Sequence, residues 1–144
     1  MNLVVDTNIV FSTLLNPNSA IGEILMNLQD EFTFYAPDLL KEELQRYSAK
    51  IATYSKLSET DLSNIQTLVL SSINFISEDL ISHESWEKAF ALTKNIDEDD
   101  TPFVALSIEL NTKLWTGDKI LLKGLTQKGS SIALTTADIR RLIK

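Results

Sequence analysis

Apolar and polar positions alternate along this chain in a way that predicts strands and helices in turn. Residues 2–6, NLVVD, form a short apolar run ending in an acid. Such a run reads as a strand buried on both faces of a parallel sheet. A helical segment, DTNIVFSTLL, follows it. Residues 19–30 repeat apolar side chains at helical spacing, with Ser19 as N-cap and Ile21, Ile24, Leu25 and Leu28 on one face. Residues 32–36, FTFYA, are β-prone and stop at Pro37. A helix is expected from about Asp38 to Lys50. Ser58-Glu59-Thr60-Asp61 resembles a capping box and opens another helix to about Ser71.

Residues 73–77 are expected to form a short strand. Residues 83–94 predict a helix whose inner face carries Trp86, Ala89, Phe90 and Thr93. A further helix spans 101–111, with Pro102 in its first turn, where proline is tolerated. Residues 113–116, KLWT, and 131–134, SIAL, give the last two strands. A short helix starts at Lys119 between them, and a terminal helix begins near Thr136. This alternation implies a single α/β domain over residues 1–144, a three-layer α/β/α sandwich around a mainly parallel sheet. Ligands of such sheets bind beyond the carboxyl ends of the strands, so the residues just after each strand carry the interest.

Composition narrows the chemistry. There is no cysteine, which excludes disulfides, zinc–thiolate sites and cysteine nucleophiles. The single histidine, His83, argues against a Ser-His-Asp machine and against a His-rich metal site; it reads as capping or flanking the helix HESWEKAF. No apolar run suggests a membrane span, and MNLVVDTN lacks the basic flank of a secretory signal, so a cytoplasmic protein is expected. The formal net charge is −7, which is awkward for a protein that binds phosphates. Either the acids gather where bound cations reverse the local sign, or they serve ordinary solubility and the partner is not nucleic acid. Composition alone favours solubility.

The acids then decide the reading. Asp6 ends the first strand, where a catalytic carboxylate or a helix cap would sit. Thr7 and Asn8 follow it and read either as hydrogen-bond partners of the carboxylate or of a metal-bound water, or as ordinary turn and cap residues. On a wheel with Leu40 at zero, Leu44, Tyr47 and Ile51 fall within about 40° and Glu43 roughly 60° to one side. A carboxylate at the edge of an apolar arc is costly unless paired or metal-bound, or unless it escapes to water. Glu42 points to solvent.

In the run Asp97-Glu98-Asp99-Asp100, acids stabilise the dipole of the following helix, but four in a row repel one another. Asp100 projects with Phe103, Val104 and Ser107. Asp99 lies near the same face, and Asp97 is a reserve ligand. Asp118 follows the strand KLWT in TGD, where Gly117 permits a sharp turn. Taken alone, Asp118 reads as a cap, and Thr116 points to the same rim. Together these positions offer four carboxylates to one sheet edge. Like charges so close need a cation, and oxygen ligands without Cys or His select Mg²⁺ or Mn²⁺. Two such ions about 3.5–4 Å apart support phosphodiester hydrolysis.

Four stretches in order, LVVDTNIVFS (3–12), APDLLKEELQRY (36–47), DEDDTPFVALSIEL (97–110) and KLWTGDKILL (113–122), resemble the PIN-domain family over nearly the whole chain. The family's acids fall on Asp6, Glu43, Asp100 and Asp118. Within the family it resembles the VapBC-like subgroup of toxins in toxin–antitoxin pairs. It implies Mg²⁺- or Mn²⁺-dependent cleavage of RNA, a homodimer, and a small antitoxin that blocks the site.

Other readings fare less well. Haloacid-type phosphatases need a second Asp where this chain has Asn8, and receiver domains carry an acid pair absent here. A PIN fold that binds RNA or protein without cutting is the alternative within the family. Trp86 and Trp115 read as core. Lys41, Arg46, Lys50, Lys119 and Lys123 read as solvated surface or as phosphate contacts along the cleft, and Arg140, Arg141 and Lys144 form a small basic C-terminus.

Overall fold

The computed structural model describes residues 1–143; of the C-terminal basic residues, Lys144 lies outside that range. Five strands form one sheet: β1 (Asn2–Val5), β2 (Thr33–Pro37), β3 (Ile73–Ile76), β4 (Lys113–Trp115) and β5 (Ala133–Leu134). Their spatial order is β3-β2-β1-β4-β5, and every pairing is parallel. The expected mainly parallel sheet is thus parallel throughout. Leu3, Val4 and Val5 of β1 are all fully buried, so its side chains meet core on both faces.

The helices are α1 (Thr7–Leu15), α2 (Ala20–Asn27), α3 (Leu39–Arg46), α4 (Ser48–Tyr54), α5 (Glu59–Ser71), α6 (His83–Thr93), α7 (Thr101–Glu109), α8 (Lys119–Gln127) and α9 (Thr136–Leu142). From β1 the chain moves through β2 to β3 in one direction across the sheet. It then returns past β1 and moves through β4 to β5 in the other. Parallel crossovers are right-handed, so the two directions of travel put their helices on opposite faces. Accordingly α1 packs against α2, α3, α4 and α5, while α6 packs against α7 and α8. Helix α7 lies against β1, β2 and β4. The result is the three-layer sandwich the sequence predicts, and one continuous core joins its layers.

Caps set most helix starts as expected. Ser19 accepts from the Gly22 N–H, and Ser58 from the Asp61 N–H. Two local expectations change. The helix expected from about Asp38 to Lys50 is two helices, broken at Tyr47 (φ −103°, ψ 15°). Its start is not capped by Asp38; Glu78 from beyond β3 accepts the Leu39 N–H at 2.7 Å instead. On α6, Ala89 and Thr93 are buried as expected, but Phe90 is 46% exposed and Trp86 only partly buried. Ser85, Ala89 and Thr93 form the buried seam, and these small side chains let α6 approach α7 closely. Trp115 is core, as expected: fully buried, with its ring 5.9 Å from Phe34 and its Nε1–H donated to Thr136 Oγ1.

Candidate metal centre

Direction of travel reverses between β1 and β4, and ligands of parallel sheets bind in the crevice at such a reversal. Asp6 leaves β1 and Asp118 leaves β4 on that crevice. The Asp6 N–H donates to Trp115 O at 3.0 Å, which continues the ladder one residue past β1 and holds the two chain exits side by side.

Asp6 is buried and fully engaged. Its Oδ1 accepts from the Thr7 N–H at 2.7 Å, and its Oδ2 accepts from the Thr116 hydroxyl at 2.7 Å. Burial pushes its pKa up; these two bonds pull it back, and the charges of Asp118 and Asp97 add to the rise. Asp118 acts as the N-cap of α8, its Oδ1 accepting from the N–H groups of Ile120 and Leu121. Its own N–H donates to Thr116 Oγ1 at 3.0 Å, so Thr116 joins the two acids. Asn8 turns toward Gly117, whose N–H it accepts at 3.4 Å. The sharp-turn role expected of Gly117 is not used, since its φ is not positive and nothing crowds it.

Asp100 differs from an ordinary helix cap. It stands at the N-cap of α7 yet makes no side-chain capping bond. It is 9% exposed, and its Oδ2 is buried without a hydrogen-bond partner. A buried polar atom left unpaired costs about 1–3 kcal/mol. Burial first, then the charges of Asp6, Asp97, Asp118 and Glu43, push its pKa up to about 8. Oxygens of Asp97, Asp100 and Asp118 lie within 4.8 Å of one another. Asp97, expected only as a reserve ligand, therefore stands in the tightest cluster. Asp99 is exposed and outside it.

Glu43 approaches from α3. It is half-buried, and its Oε1 accepts from the Thr7 hydroxyl at 3.1 Å. Burial raises its pKa; the Thr7 bond lowers it, Asp6 raises it and the Arg46 guanidinium lowers it. Thr7 thus touches both Asp6, through its backbone, and Glu43, through its side chain. Sequence adjacency places Thr7 beside Asp6 alone; the bridge to Glu43 exists only once α3 is folded against α1. Of the cations considered for the cleft, Lys41 lies over the Phe75 ring, 4.2 Å from its centroid. Arg46, Lys50, Lys119 and Lys123 are exposed.

The donor set fits a hard divalent cation. Its ligating atoms are carboxylate oxygens, one of them buried with no proton donor, and the neighbouring acids push the Asp100 pKa up. A cation here would satisfy that oxygen and remove the repulsion together.

A parallel sheet with this acid-lined reversal point defines a small α/β domain built around a carboxylate cluster. The PIN domain model matches residues 4–139, and the chain belongs to the PIN-domain family. It is 30% identical over 134 residues to the uncharacterized protein MJ1680 of Methanocaldococcus jannaschii, an alignment that spans 85% of this chain and 74% of that protein. Among solved structures it is similar to VapBC2 from Rickettsia felis bound to a DNA fragment from their promoter. That likeness has a TM-score of 0.67 at 18% identity, covering 94% of this chain and 98% of the other. Among the described residues, no helix is long and apolar enough to cross a membrane.

Proposed function

We propose that this chain is a Mg²⁺- or Mn²⁺-dependent endoribonuclease. The observation that carries the reading is the orphaned, buried Oδ2 of Asp100 beside the carboxylates of Asp97 and Asp118. PIN domains are generally nucleases, which supports the hydrolytic class. Asp100, Asp118, Asp6 and Glu43 would hold the cation, with Asp97 completing the set and Asp99 remaining in solvent. Bound Mg²⁺ or Mn²⁺ supplies Lewis-acid stabilisation of a phosphodiester and a more acidic water.

The chain's own residues do the rest. Thr116 and the Thr7 N–H fix both oxygens of Asp6, so that carboxylate cannot turn away from the crevice. The Thr7 hydroxyl holds Glu43 toward the same edge and leaves its second oxygen free to accept a proton from an attacking water. Asp118 is held by its capping bonds.

The likeness in fold to VapBC2 supports a further reading, that the chain is the toxin of a toxin–antitoxin pair. In that reading it acts in the cytoplasm as a homodimer and is silenced by a small antitoxin.

The test is cleavage of a mixed single-stranded RNA panel with Mn²⁺ or Mg²⁺, beside EDTA, Asp6→Asn and Asp100→Asn. Cutting that is lost in all three controls is expected. Cutting that survives EDTA would overturn the metal-dependent mechanism, and no cutting by folded, Mn²⁺-loaded protein would favour a non-cleaving RNA-binding module.

A further inference from the structure

Helices α1 and α3–α4 lie side by side, and the Thr7–Glu43 contact marks the end of their seam at the carboxylate edge. One turn further along each helix, Phe11 and Tyr47 meet edge to face with centroids 5.6 Å apart. Beyond them Leu15, Lys50, Ile51 and Tyr54 complete an apolar groove. Its far end is tied down where Ser55 Oγ donates to Leu14 O at 2.7 Å and the Lys56 N–H donates to Leu15 O. The groove therefore runs straight out of the acidic site along α1, about 13 Å of helix.

Two features of this groove are unusual for the molecule. Tyr47 is 40% exposed and Tyr54 67% exposed, so two aromatic faces stand open along it. Its charge also opposes that of the whole chain. The protein carries −7, yet residues 7–22 contain no charged side chain, and residues 44–58 contain Arg46, Lys50 and Lys56 and no acid. Arg46 stands at the head of the groove, close enough to act on the Glu43 carboxylate. Open aromatics interleaved with cations, without acids, match what single-stranded nucleic acids require. Bases stack on the rings while the backbone follows the charges.

We propose that the α1/α3–α4 groove is the track along which single-stranded RNA enters the carboxylate site. Tyr47 and Tyr54 stack on successive bases, and Arg46 and Lys50 contact the phosphates between them. The proposal rests on the endoribonuclease reading above and deepens it, because it specifies an unpaired strand and its direction of approach. A duplex cannot present base faces to the two tyrosines without opening.

The test is fluorescence anisotropy with a labelled oligouridylate of about ten nucleotides, in EDTA so that no strand is cut. Tyr54→Ala is expected to weaken binding about tenfold, within the range of one base stack, and Tyr54→Phe to restore it. Lys50→Glu should lower the salt slope by about 0.7 for each phosphate that the protein no longer neutralises. Tyr54 touches solvent over most of its surface, so its replacement leaves the core intact and a loss of binding is not a loss of fold.

Unchanged binding by Tyr54→Ala and Lys50→Glu would overturn the track, as would equal competition by a duplex of the same length. Absence of binding by the wild-type protein would overturn it too. The two readings fail separately. A protein that binds the strand through these residues but cuts nothing in Mn²⁺ refutes the nuclease and keeps the track. One that cuts subsaturating RNA equally well with Tyr54→Ala and Lys50→Glu refutes the track and keeps the nuclease.

Discussion

Thr116 donates its hydroxyl to Asp6 across 110 positions of sequence, at 2.7 Å, and the bond is wholly buried. The same oxygen accepts the Asp118 N–H, so one hydroxyl orders the exits of two adjacent strands. Thr116→Val keeps the shape and removes the donor, leaving a buried carboxylate oxygen unpaired. We expect a loss of about 1–3 kcal/mol in urea unfolding, with Thr116→Ser close to wild type. Equal stability of Thr116→Val and wild type would show that Asp6 finds another donor.

The metal-free protein should become less stable as pH rises. Asp100 keeps its proton in the folded state up to a pH of about 8, while in the unfolded chain it ionises at an ordinary carboxylate value. Between those values folding takes up a proton, so stability falls with increasing pH. Asp6 and Glu43, both raised, act in the same direction. Thermal unfolding in EDTA from pH 5 to 8 measures the slope. A melting temperature that rises across this window would contradict the raised values.

Asp100→Asn separates the cost of the cluster from its use. In EDTA at pH 8, where Asp100 is about half ionised, the substitution removes that partial charge from a crowded, buried position and should raise the melting temperature, by about 3 °C for each kcal/mol relieved. With Mn²⁺ present, the same variant should lose most of the stabilisation that the wild type gains from the ion. Calorimetric titration gives the affinity directly, and an Asn variant that binds Mn²⁺ as tightly as wild type would remove Asp100 from the ligand set.

Two glycines should respond in opposite ways. A Cβ on Gly22 would run into the backbone of Pro17, which cannot swing aside as a side chain can. Gly22→Ala should cost about 1–3 kcal/mol, as overpacking does. Gly117 has nothing within 4 Å of its would-be Cβ, so Gly117→Ala should stay within about 0.5 kcal/mol of wild type. Chemical denaturation of both variants checks the pair.

Features set by short-range chemistry were legible in sequence. Ser19 and Ser58 cap their helices because a side-chain oxygen and a free N–H three residues on are all that a cap needs. The strand-end placement of Asp6 and Asp118 follows from the apolar runs before them. What escaped depended on partners far along the chain. Tyr47 continues a helical apolar stripe on paper, but the backbone breaks there and the ring packs on Phe11. Phe90 does not take the expected inner position because α6 meets α7 through Ser85, Ala89 and Thr93, a seam where an aromatic ring would hold the helices apart. Among the acids of 97–100, helical phase favours Asp100 and places Asp99 near it. The turn at 98–100 is 3-10 in type, however, which rotates Asp99 outward and brings Asp97 beside Asp100 and Asp118.

The position of β1 also orders events in time. The central strand β1 is made before its neighbour β4, which follows more than a hundred residues later. Until then Asp6 has neither the Thr116 hydroxyl nor Asp118 beside it, and the Trp115 carbonyl that receives its N–H does not exist. A chain that stops short of β4 has the residues of β1, β2 and β3 but not those of the crevice. The carboxylate cluster is therefore assembled only after β4 and Asp118 have been made.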